Sequence, residues 1–591
     1  MDNKSSSIHN KFKRFAHLHV HTEYSLRDGL CKVGESTGNE PCQLLTRVME
    51  LGQDSIAITD TGNLQGAMNI YRKAMKTGIK VIFGSELLLF CDNARENRMH
   101  RLIVLAENEQ GYHNLCRLLS HGFGGMYCGV RCIDKLLLYE YASGLIALSG
   151  GMKSEIAYNI AHAESDIHLA RRTAKEYTRI FGENNFFIEL IRCGLPAHNK
   201  INTALFELSK ETGIPVVATA NAHYLHPEEA ELHGLLRQLN GDVSVETEPT
   251  GDLHFCSTET MFERFSDIPL TLENSINIAA RCNVHFHNRK PAVPALKLSV
   301  DSNESNPAMR NPVELPAELT SNKDKYMAYL RHLCETALPR LYPENQVAAK
   351  TQLDLELRVI GARDLVDYFL LHADITTYAR QQGIRAFPGQ SAWLSSIVNY
   401  LLGITAIDPL RHNSSLDSLI NDDTGNIPCV EVGYDATRVG EIVSWLQQRY
   451  GCNNVAYVGK GLRYHSWAAI DDIAEALDYD RHRARQIATM VAPYSIDAAC
   501  DNIPFLKDIR DNGKPWEINL LKFARQLEGL PYSFDTRFMR IAINESSLIM
   551  NVPAPRHVCD CHRNILRCTL YDQVTLEYLG ILTIAIPGVR A

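Results

Sequence analysis

Residues 15–29 read F-A-H-L-H-V-H-T-E-Y-S-L-R-D-G, and the rest of the chain is organised around them. His17, His19 and His21 stand at alternate positions, and alternate side chains leave the same face of a strand. The pattern predicts three imidazoles on one side of one strand, which is how a strand presents ligands to a metal. A lone H-x-H more often marks a hydrogen-bonded core histidine. The next residues strengthen the metal reading. Thr22, Ser25 and Asp28-Gly29 predict a tight turn, and a second strand, Ser55 to Thr59, ends in Asp60. A carboxylate and imidazoles at successive strand ends form the usual donor set for Zn, Mn or Fe.

The stretch resembles the PHP domain that opens the alpha subunit of bacterial DNA polymerase III. The family reads roughly F-x-H-L-H-x-H-T-x-x-S-x-x-D-G, then T-D-H-G-N-L-x-G, then G-x-E. These fall on residues 15–29, 59–66 and 84–86 here. The resemblance implies a distorted (β/α)7 barrel and a divalent-metal centre. Its ligand positions match His19, His21, Asp28, Glu86, His100, Cys193 and His223. Three positions depart from the pattern. Thr61 stands for a histidine, Gly151 for a cysteine and Asn221 for an aspartate, while Cys193 takes the place of a histidine and keeps a zinc-competent donor. One or two ions (Zn, Mn or Mg) are expected rather than three.

The residues between 15 and 285 alternate short apolar runs with amphipathic stretches, as strands and helices of a parallel sheet or barrel do. Strands are expected at 55–59, 80–89, 101–106, 145–149, 186–190 and 216–219. Helices are expected at 64–77, 110–119 and 199–212. Such folds carry their chemistry on the C-terminal strand ends. Residues 286–325 are rich in Pro, Asn and Ser without periodicity and are expected to link two domains.

Beyond them, 326–341 is expected to be helical, and 352–371, 373–383 and 400–410 resemble the palm of the same polymerase subunit. This makes the expected class α/β: a PHP barrel (1–285), then an α+β palm in two parts (326–435 and 531–591) with a helical thumb between them (436–530). The resemblance fails at the polymerase chemistry. The family's P-G-R-G-S-G-A-G-S is P-G-Q-S-A-W-L-S-S at 388–396, with Gln390 replacing an arginine and Trp393 and Leu394 adding bulk where a triphosphate would lie. Its P-D-F-D-V-D-F is P-C-V-E-V-G-Y at 428–434, so Glu431 and Gly433 stand for two metal-binding aspartates. The third aspartate is Ala585. Two-metal phosphoryl transfer needs carboxylates bridging the ions, and Gly433 and Ala585 supply none. The palm lysine matches Trp467. The sequence stops at Ala591, ahead of the family's fingers, clamp-binding and oligonucleotide-binding regions.

The expectation is a shortened, divergent relative of the polymerase subunit that has lost nucleotide incorporation. It would either keep a PHP phosphoesterase or 3′-to-5′ exonuclease activity, or act as a non-catalytic accessory that binds DNA or a replication or repair partner. Net charge is −9, so any DNA contact must be local. No apolar run approaches the roughly 18 residues that cross a bilayer, and the polar start lacks an apolar signal core, so a cytoplasmic location is expected. The 16 cysteines are expected as thiols. Cys559, Cys561, His562 and Cys568 offer zinc donors, but their spacing is not that of a common finger, and buried or surface thiols are expected in preference to a zinc site.

Overall fold

Strand Ser55–Ile58 (β1) is four apolar or small residues, all buried, the unbroken run of a strand covered on both faces. It lies in a computed structural model that describes residues 14–35, 41–93, 96–127, 130–162, 167–239, 251–293, 321–388, 392–412, 430–535, 540–544, 546–558 and 565–589. β1 runs parallel to the start of the long β2 (Lys80–Asn93), which turns back antiparallel along β3 (Glu96–Ala106). A short hairpin, β4 (Phe123–Tyr127) and β5 (Val130–Ile133), adds to the far half of β2. β3 continues antiparallel to β6 (Leu145–Leu148), and β6, β7 (Phe186–Ile191) and β8 (Val216–Thr219) follow in parallel.

Residues 17–22 close the circuit. Ala57 N donates to His17 O and Thr59 N to Val20 O on one side, while His21 N donates to Ala222 O and Ala222 N to His19 O on the other. Seven strand segments therefore form a ring, distorted by the antiparallel β3. Alternate strand residues sort into two cores, as the two-residue period requires. Ala57, Ile82, Ile103, Leu105, Ile146 and Val217 meet inside with Ile278 of helix Leu270–Arg281. Ile56, Phe83, Val104, Ala147, Ile188 and Ala218 face outward under the other helices.

The C-terminal part opens with helices Asn322–Leu341, Gln346–Ala362 and Val366–Gln381 around a core of Leu330, Leu357 and Phe369. The 352–371 stretch is split near Asp364, which takes a left-handed turn at φ 61°. Two small sheets, of three and four strands, follow among the described residues, beside two two-stranded ribbons. One joins Ala386–Pro388, Val432–Asp435 and Gly588–Val589, and the other orders Val455–Tyr457, Arg540–Ile543, Leu579–Ala585 and Arg289–Ala292. The chain thus leaves the barrel directly into a strand of the second part, at 289–292.

The barrel also shares its core with the second part. Val458, Ala542, Val552, Tyr571 and Leu576 belong to the same buried cluster as the barrel's outer face. The Tyr112 and Tyr571 hydroxyls meet at 2.7 Å. The helices between Ser466 and Leu527 pack their own cluster onto Leu232, Leu235 and Leu236 of barrel helix Ala230–Leu239.

Candidate metal centre

The histidine segment differs from the expected regular strand. Between its two hydrogen bonds to β1, that strand advances two residues (Ala57 to Thr59) while the segment advances three (His17 to Val20). One extra residue is a bulge, and a bulge reverses the alternation beyond it. His17 therefore leaves the group of three. Its Nε2 lies 2.9 Å from Cys256 O and its ring stacks on Phe255, with 3.9 Å between centroids. Its neighbours Ala16 and Leu18 point into the barrel, and beyond the bulge His19 and His21 take that inner side.

His21 Nδ1 is 2.9 Å from Ser25 Oγ, whose own hydroxyl donates to Asp60 Oδ1 at 2.8 Å. With its proton committed, Ser25 accepts from His21, so His21 carries its hydrogen on Nδ1. His19 Nδ1 lies 2.7 Å from Glu189 Oε1, a carboxylate that also accepts from Thr219. His19 is thereby protonated on Nδ1 as well. These assignments follow from the hydrogen-bond network. Two bare Nε2 atoms then face each other at 3.0 Å, with Glu86 Oε2 at 3.8 and 4.0 Å from them. Lone pairs repel at that distance unless a proton or a metal ion lies between them. Metal–nitrogen bonds of about 2.0–2.1 Å in a tetrahedral ion put two such nitrogens roughly 3.3 Å apart, so the pair fits one ion with little movement. Burial pushes the His21 imidazole down to about 4, which keeps it in the neutral, ligating form. The Ser25 and Glu189 contacts are the outer support a metal-binding histidine needs.

A second group consists of Asp28, His223 and His233, whose donor atoms lie within 4.8 Å of one another. His233 Nε2 is 3.1 Å and His223 Nδ1 3.4 Å from Asp28 Oδ1. The His223 ring stacks on His21 at 4.1 Å, so the two groups adjoin. Burial drives the His223 imidazole well below its usual range. Asn221 holds a left-handed backbone (φ 48°), and its Oδ1 is buried without a hydrogen-bond partner, as are Glu189 Oε2 and His223 Nδ1. Buried polar atoms without partners are costly, and three around one centre fit a site built for a ligand. Gly66 is required beside it, since a Cβ there would lie 2.2 Å from Asp60 Oδ2 and 2.4 Å from Thr22 Oγ1.

Of the residues expected from sequence, His19, His21, Asp28, Glu86 and His223 come together. Cys193 is buried on the same small cavity of about 100 Å³, its Sγ 3.0 Å from His198 Nδ1. His100 lies elsewhere. Strand alternation turns it outward beside Tyr158 (5.3 Å), and its neighbour Arg101 enters the centre instead. Thr61 sits where it was expected and donates to Glu86 Oε1 at 2.9 Å. Sequence reading missed His233 and Glu189. Glu189 did leave a signal, as an acid inside the otherwise apolar, fully buried strand F-F-I-E-L-I. His233 left none, because only the packing of its helix brings it to Asp28.

At the polymerase-type positions, Glu431 pairs with Ala585 by a backbone bridge. A Cβ on Gly433 would lie 2.7 Å from Val589 Cγ2, so a side chain there would require Val589 to shift. Beside them is a cavity of about 630 Å³ lined by Glu431, Lys460, Arg540 and Asp572, with Tyr24 and Arg463 at its barrel side. Trp393 does not fill it. Its indole turns into the helical core, 5.5 Å from Phe369. Trp467 is exposed on helix Ser466–Ala476. Gln390, the side chain of Leu394, and Cys559, Cys561 and His562 lie outside the described residues; Cys568 is a buried thiol.

The PHP domain family model matches residues 17–193, and that described as the bacterial DNA polymerase III alpha NTPase domain matches 328–586. Among similar proteins, the DNA polymerase III subunit alpha of Treponema pallidum is 32% identical over 78% of this chain and 38% of its own. That of Campylobacter jejuni is 28% identical over 97% of this chain and 49% of its own. That of Buchnera aphidicola is 27% identical over 98% and 48%. The chain spans about half the length, or less, of these relatives. Among the described residues no helix is long and apolar enough to cross a membrane. With a PHP match over the barrel and a polymerase match over the second part, in the order its relatives share, the chain belongs to the DNA polymerase III alpha family.

Proposed function

We propose that this protein has lost nucleotide incorporation and keeps, in its PHP barrel, a divalent-metal centre that hydrolyses a phosphoester. The observation that carries the reading is the pair of bare Nε2 atoms of His19 and His21, converging beside Glu86 with both Nδ1 hydrogens committed. His19, His21 and Glu86 would hold one ion, and Asp28, His223 and His233 are the donors next to it. A bound divalent ion supplies a Lewis acid and lowers the pKa of water. The protein's share is to keep His21 and His223 neutral by burial and to orient His21 through Ser25 and His19 through Glu189. The substrate class is a phosphodiester or a single-stranded 3′ end. DNA, a replication or repair partner and a cytoplasmic location follow from the family. The loss of polymerase chemistry is supported by Gly433, crowded by Val589, and by Ala585.

Arg101, a cation inside the centre, favours the second reading, a non-catalytic accessory built on the same scaffold. Metal content and phosphodiester hydrolysis separate the two when measured on wild type, His19→Ala, and the double variant Thr61→His with Asn221→Asp. Bound metal and slow hydrolysis that vanish in His19→Ala and rise in the double variant are expected. No metal in the wild type and no gain in the double variant would leave the accessory reading.

A further inference from the structure

Each group of donors contains one carboxylate that faces Arg101. The same guanidinium nitrogen lies 2.8 Å from Glu86 Oε1 and 3.9 Å from Asp28 Oδ2. The strand aims it there. Arg101 is two residues from Ile103, which packs inside the barrel, so alternation sends both inward while His100 goes outward. The Arg101 side chain is only 17% exposed.

We propose that Arg101 is a built-in cation that stands in for one divalent ion of this centre, tying Glu86 to Asp28 and limiting how many ions the remaining donors hold. The inference rests on reading the cluster as a metal centre.

Two features of the site support it. The first is charge. Asp28, Glu86 and Glu189 bring three carboxylates into one largely buried region, with Glu86 and Glu189 almost fully enclosed, so the centre needs positive charge. A guanidinium supplies it permanently, because it does not deprotonate in proteins. The second is valence. A carboxylate that bridges two ions with one oxygen on each needs both oxygens. Glu86 Oε1 already accepts from Arg101 and from the Thr61 hydroxyl, which leaves Oε2 for the His19–His21 side alone. Thr61 and Arg101 act together: the one offers no imidazole, and the other fills the charge deficit that follows.

The test compares the full chain with Arg101→Met, which keeps length without charge, Arg101→His, which offers a neutral ligand, and Arg101→Lys, which keeps the charge. Each is loaded with Mn or Zn and desalted. The readouts are metal per chain by elemental analysis, affinity by calorimetry and the thermal midpoint with chelator or with metal. Arg101→Met and Arg101→His are expected to take up a further ion per chain, or to bind about tenfold tighter, the scale on which groups supporting metal ligands act. Arg101→Met should also melt lower in chelator and recover with Mn, whereas Arg101→Lys should match wild type throughout. Should Arg101→Met fail to fold, Arg101→His carries the same comparison. Metal content and affinity unchanged in both neutral variants, or a loss of stability in Arg101→Met that metal does not reverse, overturns the proposal and makes Arg101 an ordinary ion-pair partner. Absence of metal from the wild type alone would sink the phosphoesterase reading, and the gain in the neutral variants would still be expected.

Discussion

Arg463, in the second part of the chain, donates to the Tyr24 hydroxyl at 2.9 Å and reaches the Glu23 carboxylate at 3.3 Å. Glu23 is almost fully buried and follows His21 by two residues. Burial pushes its carboxyl up, and Arg463 is the main opposing charge. Removing one partner of a buried pair leaves an uncompensated charge, which costs roughly 3–5 kcal/mol. Arg463→Met is therefore expected to lower stability on that scale, and Glu23→Gln in the same chain should recover much of it. Chemical denaturation of the single and double variants measures this, and an unchanged midpoint in Arg463→Met would refute the pairing.

Primer extension with all four nucleotides should show no incorporation, and restoring one aspartate should not be simple. Gly433→Asp places a Cβ against Val589. Overpacking of this kind costs about 1–3 kcal/mol. Gly433→Asp should destabilise the protein by that much, and adding Val589→Ala should relieve it. A stable Gly433→Asp chain would show that the strand at 588–589 moves aside.

Ser25 does not touch the ion position but fixes the His21 ring. Ser25→Ala should weaken Mn or Zn binding by about 10–100-fold, as loss of an outer hydrogen bond does in other metal sites. Calorimetry decides it, and wild-type affinity in Ser25→Ala would mean that packing alone orients His21.

His372 sits in the helical core near Tyr368, far in sequence from the metal centre, and burial lowers it from 6.5 to about 4. Its folded pKa is depressed, so between pH 6.5 and about 4 the unfolded chain binds the extra proton. Stability present above pH 6.5 is lost as pH falls through that window, by on the order of 3 kcal/mol for this one group. His372→Leu should flatten this part of the curve. Denaturation midpoints from pH 7 to 4 test it, and an equally steep fall in the variant would assign the acid sensitivity elsewhere.

Local chemistry made much of this molecule legible from its residues alone. The buried runs at 55–58, 145–148, 186–191 and 216–219 are strands, and the amphipathic stretches near 65–74, 109–121 and 196–212 are helices, because side-chain period and burial are properties of neighbouring residues. His19, His21, Asp28, Glu86 and His223 were also within reach, because they fall on the motifs of the PHP family that the stretch resembles; of these, the alternation of His19 and His21 is the local signal. Tertiary structure alone decided the rest. A one-residue bulge, set by where residues 17–20 pair with β1, removed His17 and kept His19 and His21. The register of β3 sent Arg101 inward and His100 outward, and a single residue of slip would have exchanged them. His233 joined Asp28, and Arg463 joined Glu23, across 205 and 440 residues of sequence. Contacts over such separations depend on how whole elements pack, and no local pattern of residue types encodes them.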